Sequence, residues 1–201
     1  YCTHDVEQTI EVFKRQPEEF ESQKSLVEAF NLPKTYMTKT KAQLSAIILE
    51  AQYIGDRFDE FEIRFPDTLK ISDRYQYIYD WYKNPLNRNY EMSLKTRVYG
   101  VPHIFAWGGI HGAIPNYIGE GFYVMSDVAS LYPSIMIEYG FLSRNVPDIK
   151  KFVEIRDRRL VLKKAKNPMQ LPYKIVINST FGAMKDRYNQ LYDPLMANCV
   201  C

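Results

Sequence analysis

The sequence predicts an α+β fold, and three observations carry that prediction. Apolar residues recur at helical spacing toward both ends of the chain. Short aromatic and β-branched runs, Phe61 to Phe65 and Gly121 to Ser126, lie between them. Further on, Asn167-Pro168 separates two long helical segments, the pattern of an αα-hairpin. With 201 residues, 46% of them hydrophobic, the chain can bury a real core as one large domain or two small ones.

Each element follows from local chemistry. In the first segment Val6, Ile10 and Phe13 fall on one helical stripe with acids toward its start, and Pro17 ends it. Glu18 to Asn31 is a second helix carrying Phe20, Leu26 and Phe30, closed by Leu32-Pro33. Thr40 to Ala51 is a third, with Leu44, Ile47 and Ile48 on its apolar face. Phe61 to Phe65 alternates apolar and charged residues like a half-buried strand. Tyr75, Ile78, Tyr79 and Tyr82 recur at helical spacing; beside Arg74 and Lys83 they read either as core packing or as a base-stacking surface. Tyr99 to Asn116 is rich in glycine, and Gly108-Gly109 behind Trp107 reads as a tight turn or as a close approach to phosphate. Gly121 to Ser126 is of strand type and length, and Pro133 sets a helix start that Gly140 stops. The hairpin helices are expected over 149–166 and 169–185.

Net charge is only +2, yet it is uneven. Ser143 to Tyr188 carries twelve Lys and Arg against four acids, whereas Tyr1 to Asn31 is net acidic by four. On the hairpin, Arg156, Arg159 and Lys163 fall at i, i+3 and i+7, and Lys174, Asn178 and Gly182 at i, i+4 and i+8. Two cationic stripes call for an anion, and a triphosphate suits Arg and Lys donors; a solvated charged face is the plainer alternative. Cys2, Cys199 and Cys201 make neither a disulfide ladder nor a C-x-x-C pair and read as reduced cytosolic thiols. No signal peptide or long apolar run suggests a membrane. The missing initiator Met and the final MANCVC suggest a fragment.

The chemistry is expected at Asp127 to Ser134, DVASLYPS, where an apolar strand would hand a lone carboxylate to a hydroxyl-rich turn. A carboxylate at the tip of a buried strand needs a cation, and Mg²⁺ is suited to it. The alternative is that Asp127 caps the following helix.

The whole string resembles the first polymerase motif of family B DNA polymerases, D-x-x-S-L-Y-P-S, with all six fixed positions present. Such a match arises by chance roughly once in 10⁷ to 10⁸ windows. The string Lys174 to Gly182, KIVINSTFG, resembles the second motif, K-x-x-x-N-S-x-Y-G, with Phe181 where the motif has Tyr. Tyr1 and Asp5 resemble the family's third exonuclease motif, Y-x-x-x-D, and Gly108-Gly109 stands where its Y-x-G-G segment lies, though the Tyr is absent. Spacing and the GGIHG segment look most like the bacteriophage enzymes.

The resemblance implies a fold and a set of roles. The fold would be a polymerase palm with an antiparallel sheet, helical-hairpin fingers, and the last helices of a ribonuclease H-like exonuclease domain. The exonuclease part would cover 1–36, a connecting region 37–117, palm 118–146, fingers 147–188 and a return toward the palm 189–201. The activity would be template-directed DNA synthesis, with 3′ to 5′ proofreading in a longer protein; the third polymerase motif is absent, so the chain alone would be inactive. Asp127 and the carbonyl of Val128 would ligate two Mg²⁺ ions, with Mn²⁺ as a substitute, and Asp5 would ligate the exonuclease metal with Tyr1 beside it. Ser130, Leu131 and Tyr132 would shape the nucleotide site, with Tyr132 excluding a 2′-hydroxyl. Lys174 would hold the triphosphate with Arg156, Arg159 and Lys163, among which Arg156 and Arg158 compete for one motif position. Asn178, Phe181 and Gly182 would border the new base pair. Trp107, Gly108 and Gly109 would meet DNA. Partners would be primer-template DNA, a deoxynucleoside triphosphate and replication accessory proteins in a cytoplasm, with no membrane. A nucleic-acid-binding module without catalysis is the rival reading.

Overall fold

The computed structural model describes residues 2–55 and 59–201. In chain order the elements are α1 (Cys2–Arg15), α2 (Pro17–Ala29), α3 (Lys41–Ile48), α4 (Gln76–Lys83), β1 (Ser93–Val98), β2 (Val101–Ala106), β3 (Gly109–Gly112), α5 (Leu131–Glu138), α6 (Ile149–Lys164), α7 (Gln170–Ala183) and α8 (Pro194–Val200). The α+β expectation holds: most of the regular structure is helical, and the sheet has three antiparallel strands in the order β1-β2-β3. The chain divides into two units, one made of Tyr1–Tyr53 with Asn145–Tyr192, the other of Ile54–Arg144 with Asp193–Cys201. The divisions expected at 36/37 and 117/118 therefore fall inside units.

The first unit is helical. α7 is its centre and packs against α2, α3 and α6. Its buried stripe is Val176, Ile177, Thr180 and Ala183, and α3 supplies Leu44 and Ile48 to the same core. The ends of these helices explain themselves. Pro17 cannot continue α1 and instead sits at the first position of α2. Thr40 and Gln43 form a reciprocal capping box on α3, and the Asp148 carboxylate accepts from the Lys150 backbone N–H at 2.9 Å to cap α6. At the hairpin joint the Met169 amide donates to Asn167 Oδ1 at 2.9 Å. Fully buried Thr180 satisfies its hydroxyl by donating to Val176 O at 2.8 Å. α1 buries none of its residues; Val6, Ile10 and Phe13 are exposed, although Phe13 meets Phe20 edge-on.

The second unit is built on an aromatic core around Trp107, which is buried and donates its indole N–H to Asn87 O at 2.6 Å. Phe61, Trp81 and Tyr82 surround that ring at 5.0 to 6.1 Å between centroids. The two hairpins of the sheet have two-residue turns, Tyr99-Gly100 and Trp107-Gly108. α8 is fixed by Asp193, a buried carboxylate that caps it and receives Arg144 through Nε at 2.8 Å and Nη2 at 2.6 Å.

Two expected strands are not strands. Phe61 to Phe65 keeps the alternation of burial, but the Arg64 amide donates to Cys199 Sγ at 3.2 Å instead of to a neighbouring strand. Gly121 to Ser126 lies outside any sheet, and Val124 and Met125 are 95% and 94% exposed. A strand needs a ladder partner as well as a suitable composition, and none of the described residues pairs with this run. The expected helix beginning at Pro133 starts two residues earlier, at Leu131.

Candidate functional site

Asp127 sits in an exposed, irregular segment, so it is neither at a strand tip nor a helix cap. The residue that precedes α5 is Ser130, in the left-handed region at φ 56° and ψ 45°. This corrects the physical argument for a metal at Asp127: an exposed carboxylate is already solvated and needs no cation for its burial. Val128 and Leu131 are exposed too, and Ser130 is half-buried. The motif thus presents one accessible carboxylate followed by a strained serine and a helix start. A non-glycine in this conformation persists only where its surroundings hold it.

Tyr132 lies on the first turn of α5 and is 36% exposed, so its ring reaches solvent from an anchored base. Its phenol is raised above the ordinary tyrosine value by burial first, and then by the Cys201 thiol, which hydrogen-bonds it. Nothing in the sequence couples these two residues, 69 positions apart; only the packing of α5 on α8 brings them together. Met136, on the same helix, is fully buried and anchors it.

On α7, Lys174, Asn178 and Gly182 are all exposed and share the face opposite the buried stripe, as their spacing predicts. A Cβ at Gly182 would meet nothing within 4 Å, so this face opens on free space. Phe181 is half-buried, and Lys185 Nζ lies 5.8 Å from its ring centroid.

The cations of α6 depart from the expected single face. Arg159 is only 8% exposed because it falls on the helix's buried stripe with Phe152, Ile155 and Leu162. Arg156 is half-buried and its Nε donates to Asp157 Oδ1 at 2.5 Å, while Arg158 and Lys163 stay exposed. The interior faces of the hairpin are mainly apolar, with Arg159 the one buried cation on α6, since burying facing charges would carry a heavy desolvation cost.

Trp107 and Gly108 form the hairpin turn between β2 and β3, and Gly109 opens β3 paired to Ala106. The buried indole of Trp107 is not available to DNA, which corrects that assignment. Tyr79 and Tyr82 are likewise packing residues: Tyr79 meets Phe65 at 4.5 Å, and the Tyr82 hydroxyl donates to Ala106 O at 3.1 Å. Asp5 is exposed on α1, and Tyr1 lies outside the described residues, so the expected Tyr1-Asp5 pair has one described member.

Among the described residues no three His, Cys, Asp or Glu side chains converge as a ready-made metal cage. The donor set at Asp127 is one accessible carboxylate with the Val128 carbonyl beside it in the chain. That set fits a Mg²⁺ ion that arrives with its phosphates and waters, which is how this ion is usually bound. No described helix is long and apolar enough to cross a membrane. Compared with family models, curated proteins and solved structures, the chain matches none.

Proposed function

We propose that this chain is part of a DNA polymerase of the family B type, carrying residues of its palm and fingers. The observation that carries the reading is the pair of motif strings: DVASLYPS at a strained, accessible turn, and KIVINSTFG with Lys174, Asn178 and Gly182 on one exposed face. The motifs lie on different units, so the strings carry the reading and no distance between Asp127 and Lys174 enters it.

Each residue has a definite task in this reading. Lys174 holds a triphosphate oxygen as a mobile point charge, and Lys163 adds a second cation on the hairpin. Arg156, paired with Asp157, and Arg159, on the buried stripe, are assigned supporting parts that hold α6 in place. Tyr132 stands under the sugar and excludes a 2′-hydroxyl. Asn178 and Gly182 border the base pair, and Phe181 contributes shape without the phenolic hydrogen bond of the usual tyrosine. Asp127 and the Val128 carbonyl hold Mg²⁺, which when bound supplies a Lewis acid for nucleotidyl transfer. Primer-template DNA and a deoxynucleoside triphosphate are the substrates, and Asp5 with Tyr1 belongs to a proofreading site.

Nucleotide binding tests this directly. Replacing Lys174 with Ala removes a charged phosphate contact and is expected to weaken deoxynucleoside triphosphate binding by about tenfold to a hundredfold. Equal affinity of wild type and Lys174→Ala, measured by fluorescence anisotropy of a labelled nucleotide, would contradict the assignment.

A further inference from the structure

The tip of the β1-β2 hairpin carries a tyrosine in a backbone conformation that tyrosine rarely adopts. Tyr99 and Gly100 form the two-residue turn, at φ 48° and 83°, both in the left-handed range. A turn with two positive φ values is ordinarily filled by Asn-Gly, Asp-Gly or Gly-Gly. Tyr99 is nevertheless 80% exposed, so its ring is not held there by burial. An exposed aromatic retained at a conformational cost points to a use outside the fold.

Its surroundings say what use. The Tyr99 amide donates to the Tyr75 hydroxyl at 2.9 Å, and the two rings meet edge-on at 5.5 Å. Arg74 lies over the Tyr75 ring at 5.6 Å, and Arg97 donates from Nη1 to Gly100 O at 2.7 Å, which places its guanidinium at the turn. Lys95 and Arg97 alternate on β1 and are both exposed, with Asp73 the acid next to Arg74 in the chain. Tyr77 braces the arrangement by bonding Thr96 Oγ1 at 2.6 Å. Residues two apart on a strand stand about 6.8 Å apart, close to the step between phosphates of an extended strand of nucleic acid.

We infer that this tip, made of Arg74, Tyr75, Lys95, Arg97 and Tyr99, is a docking site for single-stranded nucleic acid. An unpaired base stacks on the Tyr99 ring, Arg74 and Tyr75 form the platform beside it, and Lys95 and Arg97 follow the backbone. Duplex bases present no free face to such a ring, which sets the preference for single strands. The excess of cations selects a polyanion over an ordinary protein partner. None of these five residues has a role in the proposed polymerase chemistry, so the docking site holds or falls independently of Asp127 and Lys174.

The decisive variant is Tyr99→Asn, because Asn suits the turn better than Tyr. It is expected to raise the melting temperature by a few degrees while weakening binding of a fluorescein-labelled oligothymidine of about 12 nucleotides by about tenfold. Lys95→Gln is expected to reduce the slope of log affinity against log salt by about 0.7. An oligonucleotide carrying 5-iodouracil should photo-cross-link to the peptide containing Tyr99, a readout that needs no variant. Unchanged oligonucleotide affinity in a stabilised Tyr99→Asn protein, or cross-links confined to 145–192, would overturn the proposal and leave the tip as a surface for a protein partner.

Discussion

At the residue scale, chemistry is decided by what each side chain faces. Tyr82 shows this most plainly. Burial, with a smaller contribution from Cys201, pushes its phenol up to about 12, while the hydroxyl donates to Ala106 O. The folded state therefore keeps a proton that the unfolded chain releases near pH 10, so the contribution is whole below pH 10 and is lost as pH climbs toward 12. Thermal melts should show the melting temperature falling across that window, and less steeply in Tyr82→Phe. A fall of the same steepness in the variant would place the alkaline loss elsewhere. Asp127 is the opposite case: its side chain faces solvent, so the role proposed for it rests on the motif around it and not on any strain of burial. Tyr99 is a third kind, costing roughly 1 kcal/mol in the left-handed region while burying little.

At the scale of elements, α7 carries the clearest division of labour, with one stripe in the core and one open face. Gly182 lies on the open face within the helix, where Ala would gain about 1 kcal/mol of helix propensity and meet no atom. Gly182→Ala should therefore stabilise the protein and, on the proposed role of this face, impair nucleotide binding, because the added methyl would occupy the space assigned to the base pair. A variant that is both more stable and fully competent to bind would show that this face has no such task. Most helices were legible in the sequence because their signals are local, as Pro17 and Asn167-Pro168 show, whereas α8 was not expected, since its cap Asp193 is fixed by the distant Arg144. The strands were not legible. Gly121 to Ser126 has strand composition but no ladder, whereas β1 falls in a stretch given no element and β2 and β3 in one read mainly for its glycines. Pairing is a property of two segments, and no single segment displays it. The site was legible to the same extent: the α7 stripe followed from spacing, but the burial of Arg159 and the Tyr132-Cys201 bond depend on which surfaces meet.

On the scale of the whole molecule, the chain supports two units, each with its own core and its own motif. One core gathers on α7 and the other on Trp107, with the Asp193-Arg144 pair tying α8 into the second. The near-neutral total charge conceals a basic hairpin in one unit and a small cationic tip in the other. The central claim is that Asp127 binds Mg²⁺ together with a nucleotide. Its most direct test is the affinity of a labelled deoxynucleoside triphosphate with and without Mg²⁺, in wild type and in Asp127→Asn. The account predicts that Mg²⁺ tightens binding by wild type at least about tenfold and that the variant loses this gain while oligonucleotide binding persists. The same Mg²⁺-dependent gain in both proteins would contradict it.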